Sequence, residues 1–575
     1  MIESLKKRIL AARNEILPEL VLKGGWVVNV FSGEIQKKDV AVYDGIIVGV
    51  GHDLHGKKKV DLTDRWIVPG LIDGHIHIES SMLLPSNLAM ALLVHGTTSI
   101  ISDPHEIANV LGLPGIRFML EESQNLPFDI FLMAPSCVPA THLETAGAEL
   151  KASDLMELKD DPRVLGLAEM MNFPGVLVGD EQALEKIALF SDMIIDGHCP
   201  SLRGRDLDAY MTAGIRSDHE ATSRIEGLEK MESGMTIMIR EGTSAKNLEA
   251  LLPLVNDRNS RRFCFVSDDL HSEDIQDRGH LDFIIKKAVR LGMDPVTAIQ
   301  LATLNTAEYF GLKDRGAIAP GYSADLVVLD DLKSFKVASV YKNGSLVADK
   351  GKLLNFPMNK GKISSHFFRP KPLNIAPFTP ESFLIPHPGG KARIIDLLEE
   401  QIITRMSHED VKSEKGLVVS DIESDILKLC VVERHKAGGN IGLGLVRGFG
   451  LRHGAMASSV AHDSHNVIVV GVNDNDIFMA VETVRSMGGG LAVVSDDKTL
   501  AKTPLEIAGL MSMEPLDTLA KQLRLVTQAA SMIGCRLKNP FMALSFLSLP
   551  VIPELKLTDR GLVDVNKFEI VSLFF

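Results

Sequence analysis

The chain has 575 residues, 45% of them hydrophobic and 24% charged, and its 61 Lys and Arg against 75 Asp and Glu leave a formal net charge of −14. That length asks for two or three domains with separate cores, and the composition is that of a soluble globular protein. The acidic surplus speaks against a polyanion-binding surface, so no nucleic-acid partner is expected.

The first residues, Met1 to Arg8, lead into a short amphipathic helix without the apolar core of a signal peptide, and no apolar run is long enough to span a bilayer. No membrane partner is expected, and the cytoplasm is the expected compartment. Cys137, Cys199, Cys264, Cys430 and Cys535 include no C-x-x-C pair and read as reduced, packed thiols.

From Leu20 to Val50 the pattern predicts short strands at Leu20–Leu22, Trp26–Val30, Val40–Val42 and Ile46–Val50, split by the turn signals Lys23-Gly24-Gly25, Ser32-Gly33 and Asp44-Gly45. Such a sheet is too small to close a core alone. From Trp66 the rhythm changes to apolar β-rich runs alternating with helical segments. Strand ends fall at His77, Asp103, Pro135, Glu169, His198, His219, Arg240 and Asp268. Each step holds one strand, one helix and two loops, which predicts an α/β fold with a (β/α)8 TIM-like barrel. A doubly wound open sheet would carry a Gly-rich phosphate turn after its first strand, where this chain has His75 and His77.

Helices follow around Asp294–Ala302, strands return over Gly316–Leu329, and a hairpin over Val337–Val347 turns at Asn343-Gly344. The expected layout is a small discontinuous β-sandwich domain (1–68 and 315–366), the barrel (69–314), a linker (367–390) and a C-terminal α+β domain (391–575). The linker assignment rests on Arg369-Pro370-Lys371-Pro372 and Pro386-His387-Pro388-Gly389-Gly390. In the last domain strands are expected near Leu417–Val419, Ile426–Val432 and Val467–Val472, with a helix near 475–488. The glycine-rich run Gly438–Gly444 has no P-loop lysine and reads as a turn region.

In such a barrel chemistry sits at the carboxyl ends of the strands. Those ends carry His75 and His77, then Asp103 with His105 and Glu106, Glu169, His198, His219 with Glu220, Arg240 with Glu241, and Asp268 with Asp269. A strand alternates its side chains, so His75 and His77 share one face. Four histidines and at least two carboxylates fill two metal positions, with Glu169 placed to bridge them and Asp268 able to bind one metal while accepting a proton. Two cations would lower the pKa of a shared water toward neutrality, so the reaction class is metal-assisted hydrolysis. The zinc nucleobase deaminases are excluded: His77-Ile78-Glu79 matches their H-x-E, but the chain has no C-x-x-C. Taken by itself, His462-Asp463-Ser464-His465 is a polar turn, or a further metal or substrate element reaching the barrel mouth.

The His-x-His strand, the single histidines on strands five and six, the strand-eight aspartate and the Gly316–Asp325 return resemble the amidohydrolase superfamily. More narrowly, the runs Pro69–Met82, Ser102–Val110, Ile239–Gly242 and His462–Asn466 resemble the bacterial adenine deaminases. The segment Val164–Gly175 has no lysine to carboxylate, so Glu169 takes the bridging place, unlike the hydantoinase and dihydroorotase pattern. The resemblance implies hydrolytic deamination of adenine to hypoxanthine and ammonia, a purine-salvage reaction, by a metal-bound hydroxide. It implies metal ligands His75, His77, Glu169, His198, His219 and Asp268, with Asp268, Glu79, His105 and Glu106 in catalysis and Arg240, Glu241 and His465 on the substrate. The cofactor would be two divalent ions, with Mn2+ or Fe2+ favoured and Zn2+ suited to the same donors. A homo-oligomer, dimer or larger, is expected. The competing expectations are another amidohydrolase acting on a cyclic amide or N-acyl substrate, and a non-catalytic barrel scaffold.

Overall fold

The computed structural model describes residues 2–354, 373–398 and 401–575. Residues 355–366 of the expected β-sandwich and 367–372 of the expected linker lie outside the described residues. One nine-stranded sheet draws on both flanks of the central segment. Its N-terminal part, Leu20–Asn29 to Trp66–Pro69, joins its C-terminal part where Leu326–Leu329 pairs antiparallel with Trp66–Pro69. Leu22, Val27, Val40, Ile67, Leu326 and Val328 meet in its core. The Lys23-Gly24-Gly25 signal is a bulge inside one strand: pairing with Glu34–Tyr43 shifts register between Leu22 and Gly25, and Gly24 adopts φ +71°. Asn343 and Gly344, with φ +47° and +73°, make the tight hairpin turn their sequence asks for.

Eight parallel strands follow in two sheets. The first holds β1 (Leu71–Ile76), β2 (Thr97–Ser102), β3 (Asp129–Ala134), β4 (Val164–Met170) and β5 (Ile194–Gly197) in sequential order. The second holds β6 (Ser217–Asp218), β7 (Thr236–Arg240) and β8 (Phe263–Val266). Every strand ends within two residues of the position expected from the sequence. Alternation of side chains sends Ile101, Met133, Ala168, Met238 and Cys264 into one apolar cluster. Ile100, Leu132, Leu167, Ile237 and Phe265 go to the helix-covered face, as strands buried on both sides require.

The two sheets touch at both edges. Between β5 and β6, the Arg216 N–H donates to the Ile195 carbonyl at 3.2 Å. A Cβ on Gly197 would lie 2.2 Å from the Ser217 carbonyl oxygen, so only glycine permits that approach. Between β8 and β1, the Asp268 N–H donates to the His75 carbonyl at 2.9 Å and Ser267 Oγ to Asp73 Oδ2 at 2.6 Å.

The C-terminal region builds an eight-stranded sheet whose centre pairs β9 (Ile426–Val432) with β10 (Ile441–Arg447) and β11 (Val467–Gly471). Half of the glycine run expected as a turn is therefore strand. Gly442 is small there because the Thr558 carbonyl oxygen lies 1.9 Å from where a Cβ would sit. A helix over Asp474–Ser486, capped by Asn473, buries Ile477, Ala480, Val481 and Val484 against β9 and β11. Ile375 and Phe383 pack into the same core, so the described part of the proline-rich segment is held against this sheet. The sheet region also bonds directly to the parallel strands' loops: Asp559 accepts from Thr145 N–H at 2.8 Å, and Asn466 donates to the Thr145 carbonyl at 2.9 Å. Among the described residues no helix is long and apolar enough to cross a membrane.

Candidate metal centre

Strand β1 delivers His75 and His77 to one buried point, with ring centroids 4.8 Å apart. The other ligand candidates arrive from β4, β5, β6 and the end of β8. Glu169 divides its carboxylate between two pairs of imidazoles: Oε1 lies 3.3 Å from His77 Nε2 and 3.9 Å from His75 Nε2. Oε2 lies 2.6 Å from His198 Nδ1 and 3.1 Å from His219 Nε2. Asp268 Oδ1 closes the first pair at 3.5 Å from His75 Nε2 and 3.2 Å from His77 Nε2. Asp268 adopts φ +58°, a left-handed conformation aspartate tolerates better than most residues and one found where function holds the backbone.

Each carboxylate is kept ionised. Burial opposes charge on Glu169, but His198 and His219 hold its carboxyl well below the usual range. Burial likewise opposes charge on Asp268, yet the Arg240 guanidinium, with His75 and His77, holds it well below. Arg240 donates to Asp268 Oδ2 at 2.7 Å and grips Glu220 with both terminal nitrogens, so Glu220 completes a buried ion triad. The His77 Nδ1 faces the Asp103 carbonyl at 3.2 Å, which fixes the proton there and turns the Nε2 lone pair inward.

This set fits divalent metal. His75 Nε2 is buried without a hydrogen-bond partner among the described residues. Two N/O donor groups, His75/His77/Asp268 and His198/His219/Glu220, flank the shared Glu169. A third buried cluster, Glu106/His462/His465, has metal-like spacing but the wrong tautomer. The Ala461 N–H donates to His465 Nδ1 at 3.2 Å, and burial keeps the ring neutral, so the ring hydrogen sits on Nε2 and faces Glu106 Oε2 at 3.8 Å.

The cavity over these groups is lined by His77, Glu169, His198, His219 and Asp268 on one side and by Ile402, His462, Asp463, Phe546, Leu549 and Ile552 from the C-terminal region on the other. His105, Glu106 and Arg240 also line it. Four expected site residues do not line this cavity: His75, whose Nε2 lies 3.5 Å from Asp268 Oδ1, and three that are engaged elsewhere. Glu241 accepts from Lys287 Nζ at 2.8 Å, Glu79 Oε1 accepts from the Ile107 N–H at 3.1 Å, and His465 lies behind Glu106. Arg240 has its terminal nitrogens committed to Glu220 and Asp268 rather than open to a ligand.

Ser80 adds a group to which the sequence reading gave no role. Its hydroxyl lies 2.8 Å from Glu106 Oε1 and 2.5 Å from Asp269 Oδ1. One hydroxyl supplies one hydrogen, so one of these carboxyls must carry a proton. Burial and the neighbouring charges of Glu79 and Asp269 push the Glu106 carboxyl well above its usual range, which makes Glu106 the protonated partner. Asp463 and Glu220 also gained their places only through tertiary contact. The signal for Asp463 was the His462–His465 run, and for Glu220 its position directly after His219.

Residues 66–347 match the amidohydrolase family model, and residues 401–569 match the model described as the adenine deaminase C-terminal domain. An adenine deaminase of Desulfatibacillum aliphaticivorans is 52% identical over 569 residues, covering 98% of this chain and 99% of the relative. Adenine deaminases of Dehalococcoides mccartyi and Geobacillus kaustophilus are 49% and 44% identical, over 99% and 100% of this chain and 99% and 100% of their own lengths. The chain belongs to the adenine deaminase family of amidohydrolases.

Proposed function

We propose that this protein hydrolyses adenine to hypoxanthine and ammonia at a two-metal site formed by His75, His77, Glu169, His198, His219 and Asp268. The contacts at both edges of the two parallel sheets support reading them as one (β/α)8 barrel over 69–314. We read the nine-stranded sheet as part of a discontinuous β-sandwich domain (1–68 and 315–366), and 391–575 as a C-terminal α+β domain. Manganese or iron is the metal we assign, on resemblance and donor type. Five unpaired buried thiols suit the reducing cytoplasm.

When bound, a pair of divalent ions supplies Lewis acidity and acidifies water. Asp268 takes one proton from the attacking water as its oxygen adds to C6, and Arg240 holds that carboxylate in place. Glu106, protonated beside Ser80, gives a proton to the adjacent ring nitrogen. Asp268 then returns its proton to the departing amine, which leaves as ammonia, while the new hydroxyl proton goes to Glu106 as the C6 carbonyl forms. His105, with Nδ1 3.1 Å from Asp103 Oδ2, supports the wall between Glu169 and Asp463. Glu79 holds the start of the helix His105–Leu111, and Glu241 tethers Lys287.

The observation that carries this reading is the split of the Glu169 carboxylate between two histidine pairs beside Asp268. Ammonia release from adenine by the manganese- or iron-loaded enzyme tests it, against hydantoin, dihydropyrimidine and N-acyl substrates. Turnover of one of those with none of adenine would replace the reading, and no turnover at all would favour a non-catalytic scaffold.

A further inference from the structure

The cavity has two unlike halves. The metal-ligand side is polar and built from strand ends, while the C-terminal region supplies apolar walls and a single ionised group, Asp463. Asp463 is 2% exposed, and its Oδ1 lies 3.8 Å from His105 Nε2 and 3.7 Å from His462 Nδ1. Its Oδ2 is buried and has no hydrogen-bond partner among the described residues. A buried carboxylate oxygen without a donor is costly, so a site that keeps one is shaped for a donor the ligand brings. Beside it the Phe546 ring stacks on the His462 imidazole at 4.5 Å and 18°, giving the flat surface a planar heterocycle needs.

Adenine carries two kinds of hydrogen donor. The 6-amino group must lie at the metal side, where its bond breaks. The remaining donor is the imidazole N–H at the other end of the ring system, and in a nucleoside that nitrogen bears the sugar carbon.

Resting on the adenine-hydrolase reading above, we propose that Asp463 is the specificity-determining residue that accepts the imidazole N–H of the free base, and that the C-terminal region thereby excludes purines substituted at that nitrogen. The 6-position chemistry is left to the strand-end residues. Asp463 lies 195 residues (463 − 268) beyond Asp268, the last of the metal ligands in sequence, yet it faces them across the cavity.

The test uses the product, so that no turnover intervenes. Hypoxanthine keeps the imidazole N–H and 9-methylhypoxanthine lacks it at N9. Calorimetric titration of each into the metal-loaded wild type, Asp463→Asn and Asp463→Ala measures the preference for the free base. Losing a hydrogen bond to a charged group weakens binding about 10- to 100-fold. Asp463→Ala is expected to weaken hypoxanthine by that factor and leave 9-methylhypoxanthine unchanged or tighter. Asp463→Asn, which keeps an acceptor oxygen, is expected to fall between. Metal content and melting temperature identify a variant that has merely lost structure. The proposal is overturned if wild type binds both purines alike, if it fails to bind hypoxanthine while turning over adenine, or if Asp463→Ala shrinks the preference less than about fivefold. Failure of the wild type to deaminate adenine would instead overturn the assigned reaction.

Discussion

Lys230 offers a measure of how the site is braced from below. Its ammonium is fully buried and donates to the Cys199 carbonyl at 2.6 Å, Asp218 Oδ2 at 2.9 Å and Glu226 Oε1 at 2.7 Å. Asp218 in turn accepts from the N–H groups of Cys199, Glu220 and Ala221. One cation therefore ties together the ends of β5 and β6, next to His198 and His219. Lys230→Met keeps the length and volume but strands the Asp218 carboxylate, and removing one partner of a buried pair costs about 3–5 kcal/mol. If the matched segment 66–347, about 280 residues, unfolds as a unit, its unfolding entropy of roughly 0.6 kcal/mol/K turns that loss into a drop in Tm of about 5–9 °C. Scanning calorimetry of the metal-loaded protein at one fixed scan rate reads the shift, and elemental analysis reads the accompanying loss of metal. Lys230→Met/Asp218→Asn should recover part of the stability, because the stranded charge is the main penalty. A single variant that melts within about 1 °C of wild type, or a double variant worse than the single, would refute the reasoning.

Asp268→Asn should abolish ammonia release while circular dichroism and melting stay near wild type, since Arg240 keeps Glu220 as a partner. Glu169→Gln removes the one charge shared by both histidine pairs and should lower metal content by at least one ion per chain, read by elemental analysis. Burial, with the charge of Asp463 nearby, raises the Glu144 carboxyl from 4.5 to about 8. The folded state then binds more protons than the unfolded chain between those values, so this group's contribution to stability is present below about pH 4.5 and is lost as pH rises toward 8. Glu144→Gln should therefore flatten the decline in Tm across that window, and parallel profiles for variant and wild type would contradict the assignment. Gly442→Ala, which forces a methyl to 1.9 Å from the Thr558 carbonyl oxygen, should separate β10 from the Leu555–Thr558 strand and lower the yield of folded protein.

The strand rhythm was legible because most of the parallel strands are short apolar runs whose polar end residue is where the apolar pattern stops, although β6 is only Ser217-Asp218. His75, His77, Glu169, His198, His219 and Asp268 were found that way, as strand-end positions. The bracing groups were not. Arg240 gives no sign in sequence that it will turn to Glu220 and Asp268, and Ser80 gives none that it will stand between Glu106 and Asp269, since both depend on loops of different strands meeting. Glycine misled twice in the same direction. Lys23-Gly24-Gly25 looked like a turn and is a bulge, while Gly442 looked like part of a loop and is a strand residue kept small by a crossing backbone. The C-terminal wall was half visible, since the His462–His465 run was conspicuous but only the fold shows that Asp463, rather than His465, faces the cavity.

The hydrogen bond from the Asp268 amide to the His75 carbonyl joins stretches of polypeptide made at very different times. At about 5–20 residues per second, the roughly 190 residues between them separate their synthesis by roughly 10–40 s. During that interval the nascent chain displays a histidine pair with no aspartate to complete it. The donor group His75/His77/Asp268 is therefore finished only when the last parallel strand docks, whereas His198, His219 and Glu220 precede that strand in the chain.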